Sequence, residues 1–560
     1  MKPAAEGRTL GGVRFPFAAG VALVLAAAAG AAILYMSRHF YFYYDEWDWV
    51  LGAPTWDARA YFVPHSEHWS TIPSIVYRVL MLAVGARTYV PYMAVLMVLH
   101  CAVCVLLFLI VRRRGGDALA IAALAVLLVL GRGYENILWA FQIGFVGSVL
   151  GGLVAMWLLD ADRVPWWRCV LASAALIASL MSSGIGIPFC AAVAAQLVLD
   201  RDGRRRLWLL VPPAAAYLAW TATVGRAGLT GHRDPFTLVA VGQLLHYAPT
   251  GIGAAAAGLV GLDAVPALTA LAVLAVVVGV GWGRFGLRPI ALGAGAGLVV
   301  QFVVIGLVRA QIGDAEAASS RYVYIGSVFL LILLMDIARH LRLRGAWTPV
   351  IAAVVIVSLV LNARALHDAA RAKDVLFAAQ RDELQTAWAL RDARGADRSV
   401  AIDPGVMPNL PIGRYIQSRA AHGSPYPDAG PADLSRLPPA QVNEVMAQAF
   451  PMRLRGTLQV PSPGVCTSAP APGRPVTVTA PEGSQVVVKT AGPGQVSVQV
   501  WYAGQAAPSP PPPAHYPRDA TLVPSENLFV EVPPSGLHLT LHVQAKTAAA
   551  INVPTICVAP

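Results

Sequence analysis

The sequence predicts a polytopic α-helical membrane protein of about eleven spans with a C-terminal extracytoplasmic β-sandwich of jelly-roll type. Three observations predict it. Of 560 residues, 56% are hydrophobic and only 13% charged, about half the charge of an ordinary soluble domain. The deficit is confined to the stretch from about Phe15 to Leu361, where apolar runs alternate with short polar breaks. From Arg364 onward the chain reads as soluble protein, ending in short period-2 segments separated by Pro and Gly.

A bilayer core of about 30 Å needs roughly 17–25 apolar residues as helix. Runs of about that size lie at 16–37, 89–111, 117–132, 142–160, 167–182, 185–200, 206–223, 264–282, 289–309, 321–338 and 346–363. They define a membrane domain over 1–363, with its first exported loop at 38–88. The first run exceeds the roughly 7–15 apolar residues of a cleavable signal, so it is expected to remain a span. Residues 364–450 form a connector, helical by spacing from Arg364 to Arg394 and then Pro/Gly-rich. Residues 451–560 form the sandwich.

The net charge of +11 does not indicate a nucleic-acid partner, because of where it sits. Arg112–Arg114, Arg201 with Arg204–Arg206, and Arg339, Arg342 and Arg344 follow alternate apolar runs. This is the positive-inside pattern, which sets orientation. With Lys2, Arg8 and Arg14 inside, loops 38–88, 132–141, 223–263 and 310–320 fall outside. An odd span count then exports the C-terminal domain. Richness in Ala, Gly and Arg suggests a high-GC bacterium, hence its plasma membrane. The spans hold few ionisable side chains: His100 at mid-span, Asp263 and Asp336 near the ends. A transporter would place such groups at membrane depth.

Cys101, Cys104, Cys169 and Cys190 lie in or beside spans and read as small packing residues. Cys466 and Cys557 bracket the exported domain, where a disulfide persists; the pair is expected to join the domain's first strand to its last. Strands are predicted at Pro475–Thr479, Gln485–Lys489, Gln495–Tyr502, Leu528–Val532, Leu537–Val543 and Ile551–Val553. Pro510–Pro513 reads as a rigid loop. Trp501 and Tyr502 suit either a carbohydrate-stacking platform or the core of a strand.

The chemistry gathers in the first exported loop. Asp45, Glu46 and Asp48 follow the first span among six aromatics, Tyr41 to Tyr44 with Trp47 and Trp49. The aromatics suit a membrane interface. The acids repel one another at an apolar boundary, which raises a pKa toward the range useful for taking a proton. His65, Glu67 and His68 follow. With Asp45 or Asp48 these imidazoles could hold a divalent metal, although the spacing matches no standard site; the whole loop could also be a hydrated cap between two spans.

These residues resemble the GT-C superfamily of membrane glycosyltransferases, especially bacterial, actinobacterial-like members. The resemblance covers roughly residues 15–340. It rests on the acidic loop, His65-Ser66-Glu67-His68, Glu135-Asn136-x-x-Trp139-x-x-Gln142 and Ser320-Arg321-Tyr322, with His65 standing where the family pattern has Asn. It implies inverting transfer of a sugar from a polyprenyl-phosphate donor to a cell-envelope glycan, lipid or protein acceptor. Asp45 is then the base, with Glu46 and Asp48 behind it. Arg321, Tyr322, His65 and His68 take the donor phosphate, and Glu67, Glu135, Trp139 and Gln142 line the acceptor or sugar pocket. The resemblance fixes no cofactor, and a divalent metal stays open. A polysaccharide polymerase or ligase, a lipid-linked-sugar transporter and a scaffold presenting the sandwich are the alternatives. Sugar and acceptor are not legible.

Overall fold

The computed structural model describes residues 17–55, 57–229, 237–263, 267–340, 347–450, 454–457, 464–471, 474–481, 484–490, 494–502, 518–522, 527–531, 540–547 and 554–559. They form two compact units. The first comprises Met1–His39, Thr55–Leu80 and Val90–Lys373, and the second Phe40–Pro54, Met81–Tyr89 and Asp374–Pro560. The sequence partition at 363 differs: the second unit takes in two segments from the first exported loop.

The first unit is helical because its apolar runs satisfy every backbone group internally, the condition for burial in lipid. In order it contains α1 (Phe17–Met36), most of α3 (Thr71–Ala83), α4 (Val90–Arg113), α5 (Gly115–Leu128), α6 (Ile143–Leu159), α7 (Trp166–Ser182), α8 (Gly186–Leu199) and α9 (Val211–Thr223). Then follow α10 (Leu238–Val260), α11 (Ala267–Phe285), α12 (Pro289–Arg309), α13 (Ser320–Ala338) and α14 (Trp347–Ala389), which counts here as far as Lys373. The short α2 (Glu46–Gly52) belongs to the second unit. Gly116, at φ +80°, marks the break between α4 and α5.

Among the described residues, six helices are long and apolar enough to cross a membrane: α1, α4, α6, α12, α13 and α14. Helices α3, α5, α7 and α8 are apolar but shorter. By helix length and composition the chain is a multi-pass membrane protein. The count of eleven spans is not reached on this measure. Loop 223–263 needs correction, since most of it is α10. There Tyr247 is fully buried, and a Cβ on Gly251 would run into the Phe302 ring at 2.1 Å.

Helix α13 is the centre of this unit. Its apolar window is 78% buried, against 28% for α1 and 17% for α14, which keep apolar surface for lipid. The one mid-span ionisable residue noted in the sequence is accounted for there: His100 Nδ1 lies 2.8 Å from the Tyr324 hydroxyl and Nε2 3.3 Å from the Leu128 carbonyl. Both ring nitrogens are occupied, so His100 reads as a packed polar link between α4 and α13.

The second unit joins α2 and the rest of α14 to α15 (Ile412–His422), α16 (Pro439–Ala449) and nine strands. The helix predicted from Arg364 is thus the continuation of the last predicted span. The strands are β1 (Leu454–Thr457), β2 (Val465–Ser468), β3 (Val476–Pro481), β4 (Gln485–Thr490), β5 (Gly494–Tyr502), β6 (Arg518–Leu522), β7 (Asn527–Glu531), β8 (Thr540–Thr547) and β9 (Pro554–Ala559). They make two antiparallel sheets, ordered β1-β7-β4-β9-β2 and β3-β8-β5-β6. Val486 to Val488, Val543 and Ile556 are buried, three of them consecutive on β4, so both faces of that strand are covered. The Cys466–Cys557 disulfide is present; it links β9 to β2, the second strand rather than the first. The predicted segments Ile551–Val553 and Pro510–Pro513 lie outside the described residues.

Candidate functional site

In the first unit, three motifs far apart in sequence come together where α12 ends and α13 begins. The first is a tight reversal in which the His65 and His68 backbones exchange hydrogen bonds of 3.1 and 3.0 Å. Ser66 inside it adopts φ +52°, a left-handed conformation costly for a residue with a side chain. The turn aims Glu67 at Arg309, the last residue of α12, which donates to it through Nε at 3.1 Å and also through Nη2. The second motif is the one-turn helix Glu135–Leu138. Glu135 accepts from Ser320 at 2.8 Å, while the Asn136 amide donates to the Arg321 carbonyl at 2.9 Å. Ser320 and Arg321 belong to the third motif, the first turn of α13.

Glu316, in the link between α12 and α13, ties the two cations together. It lies 2.6 Å from Arg321 Nη2 and 3.8 Å from Arg309 Nη1. The result is an alternating row, Glu67–Arg309–Glu316–Arg321, that holds both guanidiniums in fixed directions. Arg321 Nε is buried without a hydrogen-bond partner, and an orphan buried donor is costly unless something accepts from it. Burial would raise the Glu67 pKa, but His68 and Arg309 outweigh it and hold the carboxyl down to about 2. Burial lowers His68 to about 4 against the pull of Glu67. At neutral pH the pair is therefore a carboxylate beside a neutral imidazole, and His68 Nδ1 is buried and unbonded.

The rest of the second motif forms a wall beside this row. Trp139 is buried and stacks on Phe141 at 4.9 Å, and the Phe141 ring lies 5.3 Å from His65. The Lys373 ammonium, itself buried, lies 5.9 Å over the Trp139 ring, a cation–π arrangement. Gln142 is buried, with its side-chain oxygen unbonded. Tyr322 is buried, with the Arg321 guanidinium 5.2 Å over its ring.

The predicted acids belong to the second unit. Tyr44, at φ +54°, turns the chain into α2; it and Ser66 are the two non-glycine residues with positive φ among those described. Four of the six aromatics around the acids, Tyr41, Phe42, Trp47 and Trp49, are buried packing rather than interfacial anchors, while Tyr44 is exposed. Tyr41, Phe42 and Trp47 are buried, with ring contacts to Tyr426 (5.1 Å), Tyr89 (5.0 Å) and Tyr415 (6.2 Å). Glu46 is fully buried and accepts from the Tyr89 hydroxyl at 3.0 Å, so it works as a strut. Asp45 and Asp48 share one partner: the Asn409 amide lies 3.5 Å from Asp45 and 3.1 Å from Asp48. Partial burial, then the neighbouring Asp45 charge, raise the Asp48 carboxyl to about 6, against the lowering effect of Asn409.

Arg309, Glu316, Lys373 and Asn409 were not found from the sequence. Arg309 did carry a signal, as an arginine at the end of a span opposite the basic clusters. Among the described residues, no three His, Cys, Asp or Glu side chains come together as metal ligands, so the metal reading of the first loop finds no ligand set.

No protein-family model and no curated protein matches the chain. Among solved structures, it is similar to ArnT from Cupriavidus metallidurans bound to undecaprenyl phosphate, at 13% identity and a TM-score of 0.47, over 71% of this chain and 85% of that one.

Proposed function

We propose that the chain is an inverting membrane glycosyltransferase. It moves a sugar from a polyprenyl-phosphate donor to a cell-envelope acceptor hydroxyl at the extracytoplasmic surface. The observation that carries this reading is the meeting of three motifs around two fixed guanidiniums at the ends of α12 and α13.

In the proposed reaction the acceptor oxygen bonds to the anomeric carbon as the bond from that carbon to the donor phosphate oxygen breaks. The acceptor proton passes to a carboxylate, and the bonding pair leaves with the lipid phosphate. Charge grows on the phosphate, so its stabilisers must be cations aimed at it beforehand. Arg321 and Arg309 take that role. Arg321 has a buried donor still to satisfy, and Glu67 and Glu316 hold the two guanidiniums by ion pairs. The neutral His68 offers its buried Nδ1 to a sugar or acceptor hydroxyl, and Trp139 and Gln142 line the same pocket.

Asp45 is the proposed base, with Asp48, raised to about 6, beside it on the same Asn409 amide. Glu46, committed to Tyr89, is set aside. On the charge asymmetry of the span ends, these groups work outside the cell and the β-sandwich is exported.

The test is Asp45→Asn in purified protein. Loss of a general base costs roughly 10²–10⁴ in rate, so transfer is expected to fall by at least a hundredfold with the melting temperature unchanged. Transfer at the native rate would refute the base assignment.

A further inference from the structure

We infer that Gly228 is a positioning residue: its bare Cα sets the His65–His68 turn and, through that turn, holds Glu67 on Arg309. The catalytic consequence rests on the proposed sugar transfer; the placement of Glu67 does not.

Nothing in the turn's own sequence imposes its shape. Ser66 sits at φ +52°, where glycine, asparagine and aspartate are the usual occupants. Such a conformation persists only where its surroundings over-determine it. The surroundings here are α9 and the short 3₁₀ segment Gly225–Leu229 that follows it. Trp220 of α9 is buried and stacks on Trp69 at 5.4 Å, with the rings 6° apart. Its indole N–H donates to the Phe62 carbonyl at 2.8 Å. The Thr71 hydroxyl donates to the neighbouring Tyr61 carbonyl at 2.6 Å and accepts from the Trp69 indole at 2.7 Å. Both arms of the turn are therefore fixed against α9.

The turn between those arms meets Gly228. A Cβ there would overlap the Ser66 carbonyl oxygen and lie 3.0 Å from Pro64 Cβ. Gly228 does not have a positive φ, so its backbone conformation is open to any residue. Close approach is what calls for glycine. Gly225 serves the same segment, since a Cβ on it would come 2.8 Å from the Trp220 ring.

The carbonyl pressed against Gly228 belongs to the peptide that joins Ser66 to Glu67. Its direction sets where Glu67 leaves the turn, and Glu67 leaves it toward Arg309, whose Nε donates at 3.1 Å. A methyl at position 228 must push that peptide away, which separates Glu67 from Arg309. Arg309 is then left with the longer Glu316 contact at 3.8 Å, and its guanidinium loses its fixed direction.

The experiment uses purified full-length protein and two readouts, melting temperature in detergent and the kcat and KM of sugar transfer. Glu67→Gln is expected to lower the melting temperature in the native background. In Gly228→Ala it is expected to lower it by less than half as much, because the pair is already broken. Gly228→Ala is expected to lower kcat about tenfold or more with KM nearly unchanged, because Arg309 acts on charge that grows as the phosphate leaves. Adding Ser66→Gly lets the 66–67 peptide turn away from the methyl and is expected to restore the rate by about threefold or more. A loss through general destabilisation would not be restored in this way. Gly295→Ala, whose Cβ meets nothing within 4 Å, is expected to leave the Glu67→Gln effect and the rate as they are. If Gly228→Ala does not fold, Trp220→Phe, which keeps the stacking and loses the Phe62 bond, takes its place in the same cycle. An undiminished Glu67→Gln effect in the variant, or a rate loss that Ser66→Gly does not restore, would overturn the inference. Absence of transfer by the wild-type protein would overturn the sugar-transfer reading alone, and the melting-temperature cycle would still decide the placement of Glu67.

Discussion

Asp48 and Glu67 are carboxylates whose surroundings drive their pKa values apart. Asp48 is partly buried beside a second aspartate and rises to about 6, while His68 and Arg309 outweigh burial at Glu67 and bring it to about 2. Such separation is how one protein keeps one acid for proton transfer and another as fixed charge. Glu67 steadies the fold above its ordinary value of 4.5, and that contribution is lost as pH falls toward 2. Asp48 stands beside the proposed base and loses its proton near pH 6, so the transfer rate should climb as pH rises through about 6. Asn409 lowers the Asp48 value. Asn409→Ala is therefore expected to move the acid limb of kcat/KM to higher pH, and an unmoved limb would separate Asp48 from the chemistry. At this scale the clustered residues were legible: three acids in four positions, and Glu67 between two histidines. Arg309, Glu316 and Asn409 were not. A single charged residue at a span end looks like an anchor, and Asn409 sits in a Pro/Gly-rich stretch with no pattern to mark it.

At the scale of elements, apolar run length predicted most helices because lipid burial leaves the backbone little choice. The reading failed at α10. The sequence places that segment in an exported loop, yet Gly251 is small because Phe302 of α12 packs onto it. Within a helical bundle, glycine permits close approach. Gly152 of α6 makes the same point, since an added Cβ would lie 2.0 Å from the Phe189 ring of α8. Gly152→Ala is expected to destabilise the first unit by about 1–3 kcal/mol through overpacking, read as a lower melting temperature in detergent. In the sheets, alternation revealed β3, β4, β5, β7 and part of β8. It missed β1, β2 and β6, which are too short or too polar for period 2 to show, and did not reach β9 (Pro554–Ala559). The Cys466–Cys557 link closes a separation of 91 residues. Its removal in Cys466→Ser should cost on the order of 4 kcal/mol, seen as earlier loss of sheet signal in circular dichroism on heating.

Across the whole molecule, the sequence divided the chain by hydropathy, whereas its compact units divide it by packing. Hydropathy sees one exported loop from 38 to 88. Packing assigns Phe40–Pro54 to the second unit, through Tyr41, Phe42 and Trp47, and Thr55–Leu80 to the first, through Glu67 and Trp69. No local pattern announces that division, because it depends on aromatic partners more than three hundred residues away, such as Tyr415 and Tyr426. The central claim is the reaction itself, sugar transfer from a lipid phosphate. It is tested most directly by incubating purified wild-type protein with a panel of polyprenyl-phosphate sugars and envelope acceptors, with and without chelator, and measuring release of polyprenyl phosphate with product. One donor of the panel is expected to be consumed with inversion at the anomeric carbon, and Arg321→Gln to slow it at least a hundredfold. Consumption of none of them, or an Arg321→Gln rate equal to wild type, would contradict the account.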